Sequence, residues 1–86
     1  MGKYDKLLIR LLSGASDSNI AFDDLRQLLI QFGFNERVRG SHHIYTKAEV
    51  EEILNLQSSG SKAKPYQVKQ VRAVIVRYKL GVSDVE

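Results

Sequence analysis

Hydrophobic residues recur at helical spacing in three stretches of the chain, and each stretch predicts a helix. The first is 3–13, followed by Gly14, and the second is 22–32, followed by Gly33; glycine is typical of the position just past a helix end. The third is expected to begin at Pro65, whose ring pre-sets a helical φ angle, and to end at Gly81. The three stripes consist of Tyr4, Leu7, Leu8, Leu11 and Leu12, then Phe22, Leu25, Leu28, Leu29 and Phe32, and finally Val68, Val71, Ala73, Val74, Ile75 and Tyr78.

Three short strands are predicted between the second and third helices, because β-branched and aromatic residues are enriched there. The first two strands are expected at 35–39 and 41–46, and the third at 53–57. The charged link 47–52 is expected to form a loop or a short helical turn. The segment 58–64, which reads SSGSKAK, is expected to be a flexible loop.

This element order predicts an α+β fold with helices on one face of a three-stranded antiparallel sheet. Without the first helix, the order α-β-β-β-α is that of the double-stranded RNA-binding domain. A chain of 86 residues is expected to form one domain. Within it we expect an extra N-terminal helix at 3–13, a core at 20–81 and a frayed tail at 82–86.

The net charge of +3 is unevenly distributed along the chain. The segment 53–83 holds six Lys or Arg residues and no Asp or Glu. Such a basic segment suggests a polyanionic partner, although a solvated helix face explains it equally well.

The chain contains no cysteine, which excludes disulfides, thiolate-bound metals and cysteine nucleophiles. The first residues lack the pattern of a secretory signal, and no apolar run approaches the roughly 18 residues that a membrane span needs. We therefore expect a cytoplasmic protein.

The segment 33–45 carries a recognisable order of motifs. Gly33 and Phe34 end a predicted helix, a strand follows, and the strand leads into Gly40-Ser41-His42. This order resembles the HicA family of type II toxin–antitoxin modules. The similarity covers roughly residues 20–80.

The resemblance implies an RNA-cleaving toxin, an mRNA interferase, that needs no metal or other cofactor. It assigns catalysis to the histidine of the Gly-Ser-His motif, His42 here, and it implies a HicB-type antitoxin as partner. Many family members carry a second histidine after the third strand, where this chain reads LQSS at 56–59. The contribution of that histidine must be absent here or supplied by Lys62, Lys64 or Tyr66.

Proton-transfer chemistry gives a separate reason to consider histidine. Metal-free RNA cleavage removes a proton from the 2′-hydroxyl and protonates the leaving oxygen, and histidine suits both steps near neutral pH. His42 and His43 are neighbours in a predicted strand, so they face opposite sides, which also argues against a metal site shared by the two. Parity alone does not choose between them, and both could be surface histidines. If Ile44 faces the helices, so does His42.

Basic residues near these motifs are candidates for phosphate binding. The three lysines at 62–69 flank the start of the last predicted helix, where free backbone N–H groups favour anions, although a solvated loop is the alternative. The two arginines of the first strand share one face and suit phosphate or the acidic surface of an antitoxin. Tyr45 and Tyr66 could stack on a base, although Tyr45 could equally be a half-buried residue of the sheet. The candidate RNA-binding residues are Ser41, Lys62, Lys64, Lys69, Arg37 and Arg39.

The sequence therefore predicts a toxin ribonuclease that cleaves mRNA by general acid–base catalysis at His42. The first alternative is an RNA-binding module of the same fold without catalytic activity. The second is a helical interaction adaptor, which would not bind RNA at all.

Overall fold

The structure is a computed structural model that describes residues 3–80. The expected stop at Gly81, the expected tail 82–86 and the side chain of Tyr4 lie outside the described part. Within it, Asp17–Asn19 forms one 3-10 turn. The helices are α1 (Lys3–Ser13), α2 (Phe22–Gln31) and α3 (Pro65–Tyr78), and the strands are β1 (Asn35–Arg39), β2 (His42–Lys47), β3 (Val50–Leu56), β4 (Ser58–Ser59) and β5 (Lys62–Ala63).

Strands β1, β2 and β3 form an antiparallel sheet in that order, so β1 and β3 are its edges. The helices pack on one face of this sheet, where Tyr45, Leu54 and Leu56 are buried. The α+β class and the three-stranded antiparallel sheet predicted from the sequence are confirmed. None of the helices within residues 3–80 is long and apolar enough to cross a membrane.

The hydrophobic stripes of the helices meet in one core cluster. Two expected stripe members differ: Leu12 is 40 % exposed and Ala73 is also exposed. Each lies next to a residue that takes the buried position, Leu11 in α1 and Val74 in α3, because a helix can turn only one narrow stripe towards the core.

Strand β3 begins at Val50, three residues earlier than predicted, so the expectation of a loop or helical turn over 47–52 is wrong. The link is instead a tight hairpin in which Lys47 pairs with Val50 and Glu49 adopts a φ of 72°. The sequence did not indicate this start of the strand because glutamate is depleted in strands. The turn was also unexpected, because glutamate rarely adopts a positive φ.

The expected flexible loop at 58–64 is also wrong, because strands β4 and β5 form a small hairpin there with Gly60 at a φ of 62°. Backbone hydrogen bonds tie this hairpin to the start of α2. Phe22 N donates to Ser61 O over 3.0 Å, and Ala63 N donates to Ile20 O over 2.9 Å. The hairpin is therefore an ordered connection between the sheet and α3.

Two helix ends differ slightly from the prediction. Helix α2 ends at Gln31, one residue early, with Phe32 as its cap and Gly33 at a φ of 97°. Helix α3 ends before Gly81, because Lys79 adopts the left-handed conformation and Leu80 N bonds back to Ile75 O. A lysine thus takes the position that glycine usually fills.

Candidate functional site

The register of the sheet decides which way the two histidines point. Tyr45 is fully buried beneath the helices, and His43, two residues away in β2, shares its side. Ile44 therefore faces away from the helices, and so does His42. The placement of His42 on the helix side, which depended on Ile44, does not hold. We call the side opposite the helices the open face; its residues include Arg37, Arg39, His42, Ile44, Glu51, Ile53 and Asn55.

One hydrogen bond holds the imidazole of His42. Its Nδ1 lies 3.0 Å from Oδ1 of Asn55, and its Nε2 has no hydrogen-bond partner among residues 3–80. Arg39 is directly across from His42 on β1, and Arg37 is directly across from Ile44. His42 therefore lies on an exposed face on which two arginines of β1 are its nearest charged neighbours across the strand pairing.

A second set of contacts joins the residue before His42 to the start of α3. Gln57 Nε2 donates to Ser41 Oγ over 2.8 Å, and Lys64 Nζ donates to Gln57 Oε1 over 3.3 Å. Gln57 follows Asn55 by two residues at the end of β3. The structure thus links Ser41 and Lys64, two of the residues singled out from the sequence, through a glutamine that was not.

Gln67, only 3 % exposed, clamps the start of α3 to the outer edge of β3. Its Oε1 accepts from Gln57 N over 3.1 Å, and its Nε2 lies 3.5 Å from Asn55 O. These backbone groups belong to an edge strand, and the glutamine side chain satisfies them as a neighbouring strand would. Gln67 therefore fixes the strand segment that carries Asn55 and Gln57.

The other two candidate lysines contact a different part of the molecule. Lys62 Nζ donates to Asn19 Oδ1 over 2.9 Å. The hydrogen-bonded guanidinium of Arg72, with a smaller contribution from Lys69, holds the pKa of Asp17 below its usual value. Among the three lysines, Lys64 alone is joined to the neighbour of His42 by a chain of hydrogen bonds within residues 3–80.

The two candidate tyrosines differ in accessibility. Tyr45 is fully buried and hydrogen-bonded to Glu36, so the expectation that it could stack on a base is wrong. Tyr66 is 58 % exposed at the start of α3, and its hydroxyl accepts from Gln67 Nε2 over 3.4 Å. Tyr66 therefore remains accessible to a ligand beside the Gln67 clamp.

The covered face of the sheet holds a polar cluster that the sequence did not reveal. Arg26 makes two hydrogen bonds to Glu36, of 2.8 and 3.1 Å, and Glu36 Oε2 also accepts from the hydroxyl of Tyr45 over 2.5 Å. His43 Nδ1 lies 3.3 Å from the same oxygen, and its ring meets Phe22 edge-on at 5.1 Å. His43 is thus part of a half-buried network, in contrast to His42.

The charges in this cluster reinforce one another. Hydrogen bonds from Arg26, and then from Tyr45 and His43, lower the pKa of Glu36 to about 2. Burial, with the neighbouring Glu36 carboxylate, raises the pKa of Tyr45 well above its usual value. The hydrogen bonds to Glu36 likewise raise the pKa of Arg26. Glu36 therefore remains ionised and paired throughout the neutral range.

One concave feature of the described residues does not include His42 or Asn55 in its lining. A shallow cleft of about 210 Å³ lies between β3 and α3, lined by Glu52, Ile53, Leu54, Gln70, Ala73 and Val74. Over residues 3–80, no three His, Asp or Glu side chains are grouped as metal ligands would be.

Comparisons with models of known protein families, with curated proteins and with solved structures found no match to this chain.

Proposed function

We propose that the protein is a HicA-type toxin, a ribonuclease that cleaves mRNA with His42 as its general acid–base group. The observation that carries the proposal is the placement of His42 on the open face. Its Nδ1 is held by Asn55, its Nε2 has no partner within residues 3–80, and Arg39 lies across from it on β1. The Gly40-Ser41-His42 motif supports the same assignment.

The proposed reaction is an internal transfer at the RNA backbone. Nε2 of His42 removes the proton from a 2′-hydroxyl, whose oxygen then forms a bond to the adjacent phosphorus. The bond from phosphorus to the 5′ oxygen breaks, and that oxygen takes up a proton. The products are a 2′,3′-cyclic phosphate and a 5′-hydroxyl, and an imidazole nitrogen can act as the base for the first proton transfer.

The cations around His42 suit the charge that develops on the phosphate. Arg39 and Arg37 share the open face with it, and Lys64 reaches the neighbouring Ser41 through Gln57. Of the three residues considered as substitutes for a second histidine, Lys64 is favoured by this connection. Its ammonium group can hold the phosphate and supply the proton for the leaving oxygen.

The fold is consistent with an RNA partner. From α2 onwards the main elements run α-β-β-β-α, with the β4–β5 hairpin inserted before α3. We propose that this is the double-stranded RNA-binding fold with α1 added at its N-terminus. In that fold the start of the last helix meets backbone phosphates, and Lys64 occupies that place here.

The resemblance to HicA also implies a partner and a compartment. We propose that a HicB-type antitoxin binds this protein in the cytoplasm and blocks the open face. The neighbouring reading frame should encode it. Co-expression of that frame should restore growth to cells that produce the toxin, and no effect on growth would count against this partner.

Induced expression in a bacterial host tests the proposed function. The wild-type chain should arrest growth and deplete full-length mRNA, His42→Ala should do neither, and His43→Ala at equal protein level should retain most of the toxicity. A binding module without catalytic activity would behave the same with and without His42. Equal toxicity of the wild type and His42→Ala would therefore favour that alternative.

A further inference from the structure

The imidazole of His42 can act as a base only through a nitrogen that carries no hydrogen. A neutral imidazole has one such nitrogen, and the hydrogen bond made by the other nitrogen decides which one it is. The Nδ1 of His42 faces Oδ1 of Asn55 at 3.0 Å. A carbonyl oxygen can only accept, so this contact requires the hydrogen on Nδ1 and leaves the lone pair on Nε2.

The backbone around Asn55 is held in place independently of His42. Asn55 pairs with Ile44 of β2, and Gln67 reaches the backbone of Asn55 and Gln57 from the start of α3. Gln67 is buried, and Leu54 and Leu56 on either side of Asn55 belong to the core. The amide of Asn55 is thus carried by a segment that is anchored by strand pairing, by Gln67 and by its buried neighbours, although both its side chain and that of His42 are exposed.

The hydrogen-bond partner of His42 is a neutral amide, and this affects which form of the imidazole it favours. A carboxylate in this place would stabilise the charged imidazolium, whereas the neutral amide fixes the ring without adding charge. A ring fixed in this way offers the lone pair of its other nitrogen to a substrate.

We infer that Asn55 is a positioning residue that orients His42 and holds it in the Nδ1–H tautomer, so that Nε2 faces the RNA as the base. This inference rests on the proposed function of His42. It adds to that function a second residue, one that acts through His42 rather than on the substrate.

The tautomer can be read directly by NMR on the full chain labelled with ¹⁵N. Long-range correlations between the ring nitrogens and the ring carbon-bound protons show which nitrogen carries the hydrogen, and His43→Gln removes the overlapping signal. The wild-type ring of His42 should be in the Nδ1–H form at a pH where it is neutral. Asn55→Leu should shift it towards the Nε2–H form, with the amide spectrum confirming that the fold is kept.

Cleavage kinetics provide the second readout. Asn55→Leu should lower the single-turnover rate constant at saturating RNA by about 10-fold, part of the full contribution of a general base, without weakening RNA binding. Asn55→Asp keeps an acceptor for Nδ1–H and should restore most of the rate, with the acid limb of the pH–rate profile moved to higher pH. That displacement places residue 55 against the reacting imidazole, and recovery of the rate by Asp but not by Leu, with the fold kept in both, is what a merely structural role would not produce.

The outcomes separate this inference from the proposed function. An Nε2–H tautomer in the wild type, or a tautomer unchanged in Asn55→Leu, overturns the role of Asn55 even if His42→Ala abolishes cleavage. Full cleavage by His42→Ala overturns the proposed function, and with it any catalytic role of Asn55, whatever the tautomer.

Discussion

The two adjacent histidines lie on opposite faces of the sheet and have different surroundings. On the covered face, His43 contacts Glu36 and packs edge-on against Phe22, within a cluster of groups that satisfy one another. On the open face, His42 is fixed at one nitrogen by Asn55, and its other nitrogen has no partner within residues 3–80. The alternation of a strand produces this difference from a step of one residue.

The side chains of the two faces differ in burial and in whether they have hydrogen-bond partners. Polar groups on the covered face are hydrogen-bonded to one another and partly or fully buried, which makes them structural. Groups on the open face are exposed and predominantly cationic, which makes them available to an anionic ligand. Substitutions on the covered face should therefore change stability, and substitutions on the open face should change RNA binding or cleavage.

The largest effect on folding is expected at Glu36. Glu36→Ala removes the acceptor of the buried Tyr45 hydroxyl and the partner of Arg26, which should destabilise the protein by about 2–3 kcal/mol. Asn55→Ala, the control on the open face, should change stability by less than about 0.5 kcal/mol. Urea unfolding of both variants measures this, and similar losses in the two would contradict the separation of the faces.

Lowering the pH should reduce the stability of the folded protein, because the carboxylate of Glu36 becomes protonated. Because the pKa of Glu36 is lowered to about 2 in the folded protein, its contribution to stability is complete above its ordinary value of 4.5 and disappears as the pH falls towards about 2. The gap in urea midpoint between the wild type and Glu36→Gln should therefore shrink as the pH falls through this range. A gap that does not depend on pH would show that the charge of Glu36 is not what stabilises the cluster.

Hydrophobic spacing was sufficient to predict the three helices, because each has a regular apolar stripe, but it did not predict that α3 would be capped by Lys79 rather than by a glycine. It was insufficient for β3 for two reasons. Glutamates, which are uncommon in strands, stand at its start, and Glu49 in the turn before it adopts a positive φ that is rare for this residue type. The choice of His42 came from the Gly-Ser-His motif, whereas its orientation required the register, in which Tyr45 rather than Ile44 is buried. The polar side chain of Asn55 was visible in the sequence, but its contact with His42 depends on pairing between strands.

Replacing a lysine with glutamine should lower RNA affinity moderately, and by different amounts at Lys64 and Lys62. Each phosphate contact to single-stranded RNA contributes about −0.7 to the slope of log K against log salt. Lys64→Gln should flatten the slope by about that amount, and Lys62→Gln by less, because its amine lies against Asn19 on the far side of the hairpin. The titration uses a His42→Ala background so that the RNA survives, and an equal effect of both variants would contradict the special place of Lys64.

The smallest change is expected on removal of divalent ions. The proposed reaction transfers protons through His42, and residues 3–80 contain no grouping of three His, Asp or Glu side chains for a metal. Excess chelator should therefore leave the cleavage rate of the purified protein unchanged. Activity that is lost with chelator and returns with Mg²⁺ would give His42 at most a supporting role.

The most direct measurement is the single-turnover cleavage of one RNA, in chelator, by the purified wild type, His42→Ala and His43→Ala. Loss of the general base should slow cleavage by about 10²–10⁴-fold in His42→Ala, and the products of the wild type should end in a 2′,3′-cyclic phosphate. His43→Ala should cleave at close to the wild-type rate at a temperature where it is folded. Cleavage that survives in His42→Ala but is lost in folded His43→Ala would place the chemistry on the covered face and contradict the assignment of the open face.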